Sequence, residues 1–124
     1  MNVKRFVLYG IVGCIAVWVL ASYRANKAVA PPLDPFGRAE WYYFASEYED
    51  AAAAYQEALR IGLDEPKAKD ARFKWARSLH EGGKYHQALS AYDDFIRRYP
   101  TSDEANRAQG HIEWIRQNKG ISND

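Results

Sequence analysis

One motif occurs twice in this chain, in a single register. Tyr48-x-x-Ala51-x-x-x-Tyr55-x-x-Ala58-Leu59 returns as Tyr85-x-x-Ala88-x-x-x-Tyr92-x-x-Phe95-Ile96, each residue 37 positions after its equivalent. Steps of three and four residues place the Tyr and Ala side chains on one stripe of a helix. A repeat of this length marks a unit that cannot bury its own apolar face and must stack on a neighbour. In both copies helix-forming residues precede the motif after a short break, so the unit is helix–turn–helix and the expected fold class is all-α. Ala51 and Ala88 are small enough to let the two helices of a unit approach closely, with Tyr and Phe filling the space beside them.

The second copy is the fuller one. Ala71, Trp75 and Ala76 lie on its first helix, Gly82-Gly83-Lys84-Tyr85 makes the turn, Ala88 and Tyr92 form the close contact, and Tyr99-Pro100 terminates it. The first copy has Ala39, Tyr42, Tyr48, Ala51 and Tyr55, with Ser46 and Glu47 where a glycine turn is usual. After Pro100 a third first-helix is expected. Thr101-x-x-Glu104 has capping-box spacing, Gly110 falls at the small packing position, and Lys119-Gly120 ends the helix after about Asn118. The pattern resembles the tetratricopeptide repeat, a helix–turn–helix unit of about 34 residues. The longer period here fits the connection Ile61–Pro66. The resemblance covers roughly residues 36 to 117 and implies an α-solenoid of about two and a half repeats. That number is below the three or so that such arrays usually need. Some apolar face is therefore expected to be covered by a second copy, by the terminal helix acting as a cap, or by a partner protein. Asp93-Asp94-Phe95-Ile96-Arg97-Arg98-Tyr99-Pro100-Thr101-Ser102 is similar to the repeats of bacterial cell-envelope assembly lipoproteins and of the Tol–Pal-associated coordinator. This implies an envelope setting, with the repeats on the periplasmic side of the inner membrane.

The N-terminal part has a different character. Residues 6–23 are eighteen positions without a charge, enough for a helix of about 27 Å against a hydrocarbon thickness of roughly 30 Å. Lys4 and Arg5 precede the run, Arg24 and Lys27 follow it, and Trp18 and Tyr23 sit near its end, where amphipathic rings favour the interface. The preferred reading is a retained single-pass anchor in the bilayer. A cleaved signal peptide fits less well, since no clear small-x-small site follows the run until the prolines. A lipoprotein signal is the third reading: Ile11-Val12-Gly13-Cys14 looks like a loose lipobox. Only Phe6 to Val12 precede Cys14 as an apolar stretch, however, and the chain stays apolar from Ile15 to Leu20. Within a membrane helix, Gly10 and Cys14 form a small-xxx-small spacing with Gly13 beside them, a candidate contact with another helix. Lys and Arg near the two ends do not decide the orientation. The expected organisation is a short tail over 1–5, the membrane helix over 6–23 and a proline-rich linker over 24–35. The repeat domain then spans 36–118, followed by a flexible tail over 119–124. Asp34 before Pro35 is a standard helix start.

Charge and site chemistry narrow the function. From Arg38 onward there are 13 Lys and Arg against 15 Asp and Glu, without the clustered basic surface of a nucleic-acid binder. His80, His86 and His111 lack the i, i+4 spacing of a helical metal pair, and they are expected at partly exposed helix or turn positions. Gly82-Gly83 is too short for a phosphate loop. Neither an enzyme activity, a cofactor nor a metal is expected. What the resemblance implies instead is a groove, lined by the first helices of successive repeats, that binds a protein segment. The corresponding positions are Tyr43, Phe44, Phe73, Arg77, His80, Arg107, His111 and Trp114, an aromatic face with a few cations. It suits an apolar or amphipathic segment carrying acidic residues. The lysine and asparagine clamp of chaperone-binding members has no counterpart here. The expected function is a membrane-anchored protein-interaction adaptor of a bacterial envelope, able to self-associate. The alternative is a permanent small subunit of a large respiratory or photosynthetic membrane complex.

Overall fold

The computed structural model describes residues 30–121. From Pro31 onward the chain forms one compact unit, and its described residues hold five helices and no strand. Helix α1 spans Pro35–Phe44, α2 Tyr48–Ile61, α3 Lys67–Glu81, α4 Tyr85–Arg98 and α5 Asp103–Lys119. Each packs chiefly against the next in sequence, as expected of a solenoid. The membrane-helix reading of 6–23, its contact residues Gly10, Gly13 and Cys14, and most of the linker lie outside the described residues. Among the described residues no helix is long and apolar enough to cross a membrane.

Local chemistry sets the helix ends. Asp34 is extended and its carboxylate accepts from the Gly37 amide at 2.7 Å, with Pro35 at the first helical position. Helix α4 stops at Arg98, before Tyr99-Pro100. Gly120 closes α5 at φ 62°, in the left-handed region where glycine has no Cβ penalty. One expected cap is shifted. Ser102, not Thr101, caps α5: its backbone is extended and its hydroxyl accepts from the Ala105 amide at 3.1 Å. Thr101 lies in the preceding turn, whose Tyr99 carbonyl accepts from the Ser102 hydroxyl at 2.8 Å.

The interior is built from alanines and a few large rings. Ala39, Ala51, Ala54, Tyr55 and Ala71 form one cluster, and α3, α4 and α5 build a larger one around Phe73, Leu79, Tyr92, Phe95, Ile112 and Ile115. Ala39 and Ala51 are fully buried, as are their equivalents Ala76 and Ala88. The four small side chains thus occupy matching places in the two pairs. The aromatic packing repeats as well. Phe36 meets Tyr55 edge-on at 6.3 Å, and Phe73 meets Tyr92 at the same distance. Tyr43 lies 6.0 Å from Tyr48 and 6.2 Å from Tyr55, while His80 lies 6.0 Å from Tyr85 and 6.2 Å from Tyr92. A polar knot holds the first pair to the second: Lys74 of α3 donates to Glu40 of α1 at 2.9 Å, and the Tyr55 hydroxyl of α2 donates to that same carboxylate. Asp70, one turn before Lys74, is also 2.9 Å from the ammonium.

Gly110 departs from its expected packing role. It is exposed, and a Cβ built there would meet nothing within 4 Å. In register it matches Ala39 and Ala76, which face the second helix of their own pair. Among the described residues no helix follows α5, so that side of α5 is bare.

Candidate partner-binding face

Helices α1, α3 and α5 are the first helices of their units, and three sets of equivalent positions run across them. Phe36, Phe73 and Arg107 make one row. Glu40, Arg77 and His111 make the second, and Tyr43, His80 and Trp114 the third. The step is 37 residues from α1 to α3 and 34 from α3 to α5. The second step is three residues shorter because the connection before α5 is one residue shorter and α5 begins two residues closer to its aligned position.

The structure brings five of the expected residues into one cluster. His111 stacks on Tyr92 with ring centroids 5.3 Å apart and planes inclined by 15°. It lies 5.4 Å from His80 and 6.3 Å from Phe73. Trp114 lies 5.1 Å from His80, and the Arg107 guanidinium sits 5.1 Å over the Phe73 ring. Two members of this cluster belong to the core and not to an open groove. Phe73 is 7% exposed and His80 9%. Phe73 packs between Tyr92 and Phe95 of α4, and the Tyr92 hydroxyl lies 3.4 Å from His80 Nδ1. The expectation that His80 occupies a partly exposed position is therefore corrected: α4 and α5 close over it, using its ring as an aromatic. His86 is exposed, as expected.

The surface that remains open carries Trp114, 45% exposed, with the half-buried His111 and the exposed Arg107. Lys119 places its ammonium 4.9 Å from the Tyr85 ring and 5.8 Å from Trp114. Sequence reasoning missed both Lys119 and Tyr85, because they meet only through the packing of α4 on α5. On the α1 side Phe44 is 77% exposed and Tyr43 half-buried, and Lys74 lies 5.9 Å from each ring. These two do not join the His80–Trp114 cluster. Arg77 sits between the patches, its Nε 3.5 Å from Glu81.

Electrostatics follow burial. Desolvation pushes His80 below its ordinary value, with Arg77 and Lys119 adding to the effect. It does the same to His111, reinforced by Arg77, His80 and Arg107. Burial raises the Tyr43 phenol. Both imidazoles are thus neutral near neutral pH, and the open surface is a set of apolar rings edged by guanidinium and ammonium groups. Among the described residues no group of three or more His, Cys, Asp or Glu is placed to hold a metal ion.

No curated protein and no solved structure gives a significant match to the chain. Residues 70–102, which run through α3 and α4 to the cap of α5, match the family model of the tetratricopeptide repeat. The helix pair at the centre of this structure is therefore similar to a tetratricopeptide repeat, a unit that generally mediates protein–protein interaction.

Proposed function

We propose that this protein is a membrane-tethered adaptor that holds a protein partner beside the bilayer of a bacterial inner membrane, with its helical domain on the periplasmic side. It works without catalysis of its own. The observation that carries the binding half is the open aromatic and cationic surface carried by Trp114, Arg107 and Lys119 of α5. Aromatic rings with Arg are the usual anchors of protein interfaces. The tether half rests on the eighteen uncharged residues of 6–23 and on the similarity of the Asp93–Ser102 stretch to envelope repeats.

The test is capture from detergent-solubilised membranes with the full chain and with a Trp114→Ala, Arg107→Ala variant. A partner retained by the parent and lost by the variant, with the helical signal unchanged, supports the adaptor. Identical recovery by both chains sinks the assignment of this face. Native sizing of the same extract separates the adaptor from a permanent subunit, which would run wholly within one large stoichiometric complex. Protease protection in intact spheroplasts decides the side of the membrane: digestion of the helical domain from outside is expected.

A further inference from the structure

His80 and His111 meet where α5 docks on the rest of the stack, and their surroundings are one-sided. From α3, Arg77 and Glu81 bear on both rings; α4 contributes the phenols of Tyr85 and Tyr92; α5 adds Arg107 and Lys119. Among the described residues, the charges that act most strongly on the two rings all lie on α3 and α5. Three cations therefore face the pair against one carboxylate, and that carboxylate already has Arg77 at 3.5 Å. The rings touch each other edge to face at 5.4 Å, so a proton on one disfavours a proton on the other. Their packing is aromatic and not ionic: Tyr92 stacks on His111, and Trp114 lies against His80.

We infer that the His80–His111 pair is a built-in acid release for α5: neutral rings hold the terminal helix on the stack, and protonation on mild acidification loosens it. The sign follows from linkage. In the docked state both imidazoles resist protonation, while in the opened state each returns to its ordinary value of 6.5. The opened state then binds more protons below that value, so docking of α5 is complete above it and weakens as the pH falls. Each ring that protonates only on opening shifts the docked-to-open ratio about tenfold per pH unit, up to about a hundredfold for the two together. Asp and Glu side chains remain largely ionised down to about pH 5.5, so the histidine window can be read by itself. The inference stands whether or not the α5 face takes a partner.

The experiment follows His80 and His111 by NMR in the full chain in detergent. Both are expected to titrate below the ordinary imidazole value of 6.5. Titration of both at or above that value overturns the inference. Hydrogen exchange, corrected for intrinsic rates, gives the second readout. Protection of the α5 amides should fall at least tenfold between about pH 7.5 and about pH 5.5, while that of α2 stays constant. A His111→Phe variant, which keeps a ring on Tyr92, should lose about half of this pH response on a logarithmic scale, the His80 share remaining. Equal pH sensitivity in that variant, or constant α5 protection in the parent, overturns the release.

Discussion

Ser46 and Gly83 stand 37 residues apart in equivalent turns, and both hold left-handed backbone, at φ 60° and 77°. Glycine adopts that conformation freely, whereas serine is strained there. The turn survives with serine because the flanking helices determine it: the Ser46 amide donates to the Tyr43 carbonyl and the Glu47 amide to the Tyr42 carbonyl, as the Gly83 and Lys84 amides do to His80 and Leu79. Ser46→Gly should therefore stabilise the domain by roughly 0.5–1 kcal/mol, the relief of strain less the added freedom of the unfolded chain. Urea denaturation with an unchanged slope checks this, and a destabilised variant would contradict it.

Phe73 and Trp114 were equivalent candidates for a groove in the sequence, and the structure makes them opposites. Phe73→Ala should destabilise by about 3–5 kcal/mol, as for other buried rings, and abolish binding only by unfolding. Trp114→Ala should cost clearly less, about 1–2 kcal/mol, because nearly half of its surface is already in water. Thermal unfolding of the two single variants decides the assignment, and comparable losses would refute it.

Glu40 receives both the Lys74 ammonium and the Tyr55 hydroxyl, from two different helices. Glu40→Ala leaves both donors partly buried without that acceptor, although Asp70 still meets Lys74. A loss of about 1–3 kcal/mol is expected. Tyr55→Phe leaves the Glu40–Lys74 pair standing and should lose about 1 kcal/mol. A double-mutant cycle between positions 40 and 55 should show coupling of at least 0.5 kcal/mol, roughly the lower bound for residues in direct contact. Simple additivity would mean the shared carboxylate contributes nothing.

Stability should also fall on the alkaline side. Burial raises the Tyr55 and Tyr92 phenols above their ordinary value of 10.0, and for Tyr55 the hydrogen bond to Glu40 adds to it. The unfolded chain then releases these protons first, and the folded state binds more of them, so stability declines as pH rises past about 10. Lys74 acts in the same direction. Burial alone would depress its ammonium, but the bonds to Glu40 and Asp70 outweigh that and hold it above its ordinary value. Each buried phenol should contribute up to about 1.4 kcal/mol per pH unit in this range. Urea midpoints between about pH 8 and about pH 11, with tyrosinate absorbance alongside, measure it. A flat profile, or one unaltered in Tyr55→Phe, would count against the assignment.

The helical architecture was legible because period and local chemistry agree. Tyr48, Ala51 and Tyr55 repeat as Tyr85, Ala88 and Tyr92, and Asp34-Pro35, Tyr99-Pro100 and Lys119-Gly120 punctuate the helices where turn chemistry requires. Burial of individual first-helix residues was less legible, since it depends on what the next unit presents. His80 could not be placed from its own helix alone: Tyr92 and Trp114, 12 and 34 residues away, make it part of the core. Gly110 shows the converse. Its register is that of a packed residue, yet the helix that would pack there is missing from the described chain. The cap shift from Thr101 to Ser102 is a smaller case, two hydroxyl residues in succession being separable only by backbone geometry.

Because each helix leans mainly on its sequence neighbours, damage to this molecule should stay where it is made. In a globule with one shared centre, a lesion anywhere weakens every part. Here the couplings run in series. A fault in α1 would be felt through the Glu40–Lys74 link and then fade, leaving the rings around Tyr92 in place. Such a stack ages, mutates and opens from its ends inward, keeping its middle unit, the one with a neighbour on either side, to the last.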